Sequence, residues 1–329
     1  MVAMTTALRP HAVGEMLATP RFRGYARAAI GVVILVAIVL HAGGEPFARG
    51  LASVSIAAVG AALVLAAVST AAAAWRWRML AGGLGLTLSW PQAVSGYYRS
   101  QFLNTVLPGG VVGDVHRAVA HGRSVNQVGQ ASRAVVAERS AGQVVQLVLA
   151  AVVLVSLGMS AYAPAVGIVA LVVAVMCAVG FVAAAASTRV RVAVRRELAA
   201  LRTAFASGST VVKVIAASLI VVAGHVATFV VACLAVGVDA PTERLVALAL
   251  IAVLAASIPL NIGGWGPREG AAAWAFTAGG LGAATGIAAS TAFGVLAMIA
   301  VTPGAVVVAA SALRRRRDSQ AVQSRMVAS

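Results

Sequence analysis

Ser95-Gly96-Tyr97-Tyr98-Arg99-Ser100-Gln101-Phe102-Leu103-Asn104-Thr105-Val106-Leu107-Pro108-Gly109-Gly110-Val111-Val112-Gly113-Asp114-Val115-His116-Arg117 sets a Pro-Gly-Gly breaker and several ionisable groups inside a chain that otherwise reads as membrane helix. Backbone freed by such a break is tolerated at membrane depth only within protein or beside a watery cavity. Charged residues held there mark a substrate or ion pathway. A second stretch answers the first: Ser257-Ile258-Pro259-Leu260-Asn261-Ile262-Gly263-Gly264-Trp265-Gly266-Pro267-Arg268-Glu269. Each runs through Asn, a Gly-Gly pair and a further Gly to an acid and an arginine.

The composition is 61% apolar and 10% charged, far from that of a soluble domain. Several apolar runs exceed the roughly 20 residues that cross a bilayer, which implies a polytopic membrane protein. The net charge of +16 would suit nucleic acid, but the arginines cluster at the ends of apolar segments, where they set membrane orientation. Nucleic acid is therefore not an expected partner. Cys177 and Cys233 fall within apolar segments and suggest neither a disulfide framework nor a metal site. Residues 1–20 carry Glu15 and no apolar core, so no cleavable signal peptide is expected.

Charge placement orders the segments. Residues 1–26 form a basic cytoplasmic lead, followed by a helix over 27–42, an outer turn at His41 to Pro46, and a helix over 50–74. Trp75-Arg76-Trp77-Arg78 then reads as an aromatic and basic anchor at the cytoplasmic interface. Residues 92–107 would make a helix of roughly 24 Å, marginal for a ~30 Å hydrocarbon core. With 111–121 they read as a re-entrant hairpin flanked by cations, entering from the cytoplasm. Helices over 134–158 and 163–187 follow, then a basic loop from Arg189 to Arg202 and a helix over 211–236. Residues 245–260 and 269–281 form the mirror hairpin, entering from outside, and a helix over 284–311 ends at Arg314-Arg315-Arg316-Arg317.

The expected fold is thus an all-α integral membrane protein with about six full spans and two re-entrant broken-helix hairpins. It forms a single membrane domain over 27–311, with a basic cytoplasmic tail at 312–329. Its halves, 27–160 and 161–311, share one plan in opposite orientation. Such an inverted-topology repeat points to a transporter site near the midplane. The expected location is a bacterial inner membrane, with both termini cytoplasmic.

The breaks suggest anion chemistry. A helix start leaves backbone N–H groups unpaired and adds the positive end of the helix dipole. Gly109, Gly110, Gly263 and Gly264 would let a phosphate approach, and Arg117, Arg268 and Arg139 would add donors suited to it. Arg139, Gln143 and Gln146 share one helix face and should turn inward. Asp114, Glu138 and Glu269 are candidate charge partners, Asp114 for Arg117 and the glutamates for an arginine of the other half. Asn104 and Asn261 satisfy broken backbone or touch substrate. The alternative is that these charges form a structural ion network.

His116 reads as a hydrogen-bonding partner, His225 stands alone, and Tyr97, Tyr98, Trp265 and Trp274 read as packing or interface aromatics. Pro303-Gly304 should kink the last helix. No nucleophile elbow, Walker loop, metal-binding His cluster or GxGxxG is present, so no catalysis, cofactor or metal is expected.

Gln101 to Gly110, Gly113-Asp114-Val115-His116-Arg117, Glu138-Arg139-Ser140-Ala141-Gly142 and Gly263 to Glu269 together resemble the signature of a known family. It is the lysylphosphatidylglycerol synthase transmembrane region, also called the flippase-like domain. In bifunctional members this region precedes a soluble aminoacyl transferase domain and moves the aminoacylated lipid across the bilayer. The resemblance covers about 27–311 and implies a stand-alone membrane protein without synthase activity. The function expected is translocation of an anionic phospholipid or lipid-linked intermediate. One rival is a non-transporting accessory protein for an envelope lipid or glycolipid enzyme, and another is a membrane enzyme acting on lipid-linked substrates. A homo-oligomer or an envelope enzyme is the protein partner these readings allow.

Overall fold

The computed structural model describes residues 20–107, 110–157, 162, 167, 178–179, 182, 185–258 and 264–313. The elements are α1 (Pro20–Ala42), α2 (Glu45–Ala52), α3 (Ile56–Gly83), α4 (Trp90–Val106), α5 (Val112–Ser124) and α6 (Val128–Ser156). They continue with α7 (Thr188–Ala204), α8 (Gly208–Val236), α9 (Thr242–Ala256), α10 (Pro267–Ala278) and α11 (Ala283–Ala300). No β-strand occurs among the described residues.

Among the described residues, four helices are long and apolar enough to cross a membrane: α3, α6, α8 and the stretch Ala283–Leu313 that carries α11 onward. The elbow between α1 and α2, bent by 102°, raises the number to five if it is one span. The helix expected over 163–187 lies almost wholly outside the described residues, as do Pro108, Gly109, Asn261, Gly263 and the arginine-rich tail.

Local chemistry explains most boundaries. Ser55 opens α3 by accepting a hydrogen bond from the Ala58 N–H at 3.2 Å. The side chain of Gln92 accepts from the Ser89 N–H at 3.2 Å, and Pro91 sits in the first turn of α4, where its missing N–H costs nothing. α4 stops at Leu107, which is extended (φ −95°, ψ 142°) because it precedes a proline. α8 ends on Gly237 in the left-handed conformation.

Two boundaries differ from the sequence reading. The helix expected over 50–74 starts at Ile56 after a separate short α2, and it runs to Gly83. Trp75-Arg76-Trp77-Arg78 is therefore no terminal anchor: Arg76 and Trp77 lie inside α3 and are buried.

α3 packs along α8, and both touch α6 and α11. α4 and α5 form one hairpin, packed on α3 and α6 respectively, while α9 and α10 form the other, packed on α8 and α11. Crossings are close because small residues sit at them. A methyl at Gly113 would collide with the Ser100 carbonyl, and one at Gly286 with that of Ala272. The core beneath the second hairpin is made by Phe229, Leu248, Phe276 and Phe293. Val64, Val148, Val152 and Ile215 point outward on the long helices, an apolar exterior suited to lipid.

Candidate functional site

The first hairpin is tied across its own break. Asn104, near the end of α4, accepts from the Gly113 N–H at 2.7 Å through Oδ1. Its Nδ2 donates to Asp114 Oδ2 at 2.9 Å, and Ser100 donates to Asp114 Oδ1 at 3.0 Å. Asn104 thus serves the broken backbone, and the dipole at the start of α5 is met by the chain's own carboxylate.

From Asp114 the network runs inward. Arg117 donates through Nη2 to Asp114 Oδ1 and to Glu138 Oε2, both at 2.9 Å. Arg139 bonds the other oxygen of Asp114. Arg76 reaches Glu138 Oε1 through Nε at 3.0 Å and Nη2 at 2.5 Å, and its Nη1 donates to Ser218 of α8 at 2.8 Å. Tyr97 donates to the same Glu138 oxygen at 3.0 Å.

Glu138 is fully buried, and removing such a charge from water is tolerable only with this density of donors. Three guanidinium groups therefore share two carboxylates, leaving one positive charge in surplus.

The second hairpin repeats the theme with fewer parts. Glu269 caps α10 by accepting from the Gly266 N–H at 2.7 Å, and Arg268 donates to Glu269 Oε1 through Nε at 3.0 Å and Nη2 at 2.6 Å. Ser290 of α11 donates to the same oxygen at 3.1 Å and accepts from Arg268 at 3.0 Å. Glu138 and Glu269 thus pair with arginines of their own halves, not across the halves as the sequence suggested. The i+1 and within-half partners are nearer than any cross-half arginine the packing supplies.

Aromatic faces hold the arginines. Arg117 lies between Trp77 and Tyr97, its Cζ 4.6 and 4.4 Å from their ring centroids. Arg268 lies 5.0 Å from Trp265 and 5.2 Å from Phe293. Tyr97 and Trp265 are therefore cation-binding aromatics as well as packing ones, which their spacing alone did not disclose. Trp274 instead packs edge-on against Tyr162.

Between the hairpins lies one cavity of about 340 Å³ with walls from both halves. Arg76 (α3), Tyr97 and Asn104 (α4), Gly110, and Glu138, Arg139, Gln143 and Gln146 (α6) line one part. His225 (α8), Ser257, Gly264, Arg268 and Phe293 line the rest. The polar stripe Arg139, Gln143 and Gln146 turns inward as its spacing predicts, and the Arg139 side chain stays 47% exposed. Gln143 donates to Ser257 at 2.9 Å and so bridges the halves.

Arg117 is brought to the network but not to this cavity. Gly110 and Gly264 do line the cavity, with positive φ of 62° and 87°. Gly109, Asn261 and Gly263 lie outside the described residues. His116 faces another pocket, while His225 bonds the Val221 carbonyl at 2.8 Å.

Arg76 and Ser218 escaped the sequence reading. Arg76 was masked by its tryptophan and arginine neighbours, although Ser69, Ala73 and Arg76 recur at i, i+4 and i+7 and all three line the cavity. Ser218 is a small hydroxyl in an apolar helix and gave no signal.

No curated protein matches the chain. Over residues 25–317 the sequence does match the lysylphosphatidylglycerol synthase TM region. The chain, with its helices long and apolar enough to span a bilayer, is an integral membrane protein that belongs to that family.

Proposed function

We propose that this protein moves an anionic lipid, a phospholipid or a lipid-linked intermediate, between the leaflets of a bacterial inner membrane. The observation that carries the reading is the shared cavity: polar and cationic within, about 340 Å³, and lined by both hairpins inside an apolar exterior. That volume suits a headgroup, with the acyl chains left in the bilayer. The surplus positive charge of the Arg76–Arg117–Arg139 cluster would be balanced by one anionic phosphate. Arg139 is the half-exposed donor nearest to that task.

The backbone N–H groups of Gly113 and Gly266 are already taken by Asn104 and Glu269, so the arginine side chains carry the anion rather than those helix starts. The family's name concerns a lipid synthase, and a lipid-handling role agrees with it. Each carboxylate at the site, Asp114, Glu138 and Glu269, is paired with arginine, an arrangement for holding charge rather than for moving protons to a substrate.

In this reading both termini are cytoplasmic, the two hairpins enter from opposite faces as an inverted repeat, and rocking of the halves exposes the cavity alternately. The test is leaflet exchange in liposomes holding the purified chain and a panel of labelled anionic lipids. Arg139→Gln should reduce exchange at least about tenfold, the loss of one charge-assisted hydrogen bond to phosphate. Wild-type exchange by a well-folded Arg139→Gln protein would remove Arg139 from the lipid path, and absence of exchange by the unaltered protein would favour the accessory role.

A further inference from the structure

We infer that α7 is an interfacial helix, which lies along the bilayer surface and takes the headgroups of anionic phospholipids as its partner. The stretch from Arg189 to Arg202, read from sequence as a basic loop, is helical because Ala, Leu and Arg favour a helix and Ser187 caps it, accepting from the Val190 N–H. Five arginines in 17 residues keep this helix from crossing a bilayer. Its packing nonetheless brings it to the edge of one. Ala204 is buried in a cluster with Leu80 of α3, Ala137 of α6 and Val214 of α8. Arg133 of α6 donates to Glu197 Oε1 through Nη2 at 2.9 Å, and a methyl on Gly83, the last residue of α3, would collide with the Ala204 carbonyl. These contacts gather where α3 ends and α6 and α8 begin, and all three helices are long and apolar enough to span. The level of α7 is therefore the level at which hydrocarbon gives way to headgroups.

Two stripes run along the side of α7 that the bundle leaves open. Val194, Leu198 and Leu201 recur at i, i+4 and i+7 and are 40%, 49% and 39% exposed. Arg191, Arg195 and Arg202, at i, i+4 and i+11, form a stripe beside them, and all three are exposed. The helix has one acid, Glu197, and it is engaged by Arg133. Arg195 and Arg202 enter no ion pair among the described residues, so their charge is available to a partner.

The pairing of stripes selects that partner. Nucleic acid would satisfy the arginines and leave the apolar stripe in water. A groove on an acidic protein would have to close round a helix already fastened along another side to α3 and α6. The surface of an anionic leaflet meets both stripes at once. Val194, Leu198 and Leu201 enter the boundary of the acyl chains, and the arginines extend on their flexible stems to the phosphates. A headgroup with net negative charge is favoured over a zwitterionic one, because each basic residue at the surface adds attraction that a neutral headgroup does not return. Thr203, about half a turn round the helix from Val194, is exposed and faces water.

The experiment places the full chain, with Cys177 and Cys233 replaced by alanine, in nanodiscs of equal parts phosphatidylglycerol and phosphatidylcholine. One lipid or the other carries bromine on its acyl chains, and a fluorophore is attached at Leu198→Cys or at Thr203→Cys. At position 198, quenching by brominated phosphatidylglycerol should exceed that by brominated phosphatidylcholine at least about threefold. At position 203, neither lipid should quench and aqueous acrylamide should. Arg195→Gln combined with Arg202→Gln alters two exposed side chains, so the chain should fold and the preference for phosphatidylglycerol should disappear. Equal quenching by the two lipids at position 198, or a preference unchanged in the double arginine variant, would overturn the assignment of anionic headgroups. Acrylamide quenching as strong at position 198 as at 203 would put the apolar stripe in water and overturn the interfacial placement in favour of a soluble acidic partner.

Discussion

Glu138 joins four helices of the site through one carboxylate. It accepts from Arg76, Tyr97 and Arg117 and so ties α3, α4 and α5 to α6. Losing its charge would leave two buried guanidinium groups short of a partner. Glu138→Gln should therefore destabilise the protein by about 3–5 kcal/mol, read as a lowered unfolding midpoint in detergent. Arg139→Lys should behave oppositely, because the side chain is half exposed and Asp114 keeps Arg117, Ser100 and Asn104. Its stability should change by less than about 1 kcal/mol while lipid exchange falls, since a point charge replaces a planar fork. An unshifted midpoint for Glu138→Gln would mean that the ion cluster does not fasten these helices. Asp114, Arg117, Glu138 and Arg139 were legible in the sequence because charge inside apolar sequence demands a reason. Arg76 was not, since an arginine between two tryptophans looks like an interfacial belt until the helix is seen to run on to Gly83.

At the scale of elements, the glycines separate packing from site. Gly113 presses α5 against the Ser100 carbonyl of α4, and alanine there must push the hairpin apart. Gly113→Ala should cost about 1–3 kcal/mol, the usual penalty of overpacking, and should lower the yield of folded protein. Gly264 meets no such backbone obstacle, and the φ values of 62° at Gly110 and 87° at Gly264 strain any larger residue by about 1–2 kcal/mol. The double variant Gly110→Ala with Gly264→Ala should therefore still fold, and its lipid exchange should drop as the cavity wall shifts. Full exchange by that folded variant would exclude both glycines from the path. The helix breaks could be read in advance, since Pro108 and the paired glycines are poor continuations of a helix. The α1–α2 elbow could not, because Gly43-Gly44-Glu45-Pro46 signals a turn without saying that a short helix follows it.

For the whole molecule, the contact to test is Gln143 to Ser257, where α6 of the first half meets the end of α9 in the second. If the halves rock, this contact must part. Cysteines at both positions, in a chain with Cys177 and Cys233 replaced by alanine, can be joined by a short cleavable thiol cross-linker. Exchange should fall at least about tenfold on linking and return on cleavage, as expected when a gating motion is blocked. Undiminished exchange in fully linked protein would rule out motion between these helices. The two helix breaks were visible in the sequence through their matched residues, but the ion pairing was not, since which arginine meets which acid depends on packing rather than order.

The small residues at the helix crossings have a thermodynamic consequence as well. Ordering a long side chain against a neighbour forfeits as much as about 2 kcal/mol of rotamer freedom, whereas glycine and alanine have none to forfeit. Within lipid there is no water to expel from between helices, so an association that gives up little freedom needs little attraction. Gly113 on Ser100 and Gly286 on Ala272 assemble without any glycine rotamer to forfeit, which leaves the rotameric penalty to the longer side chains of the core and of the arginine cluster.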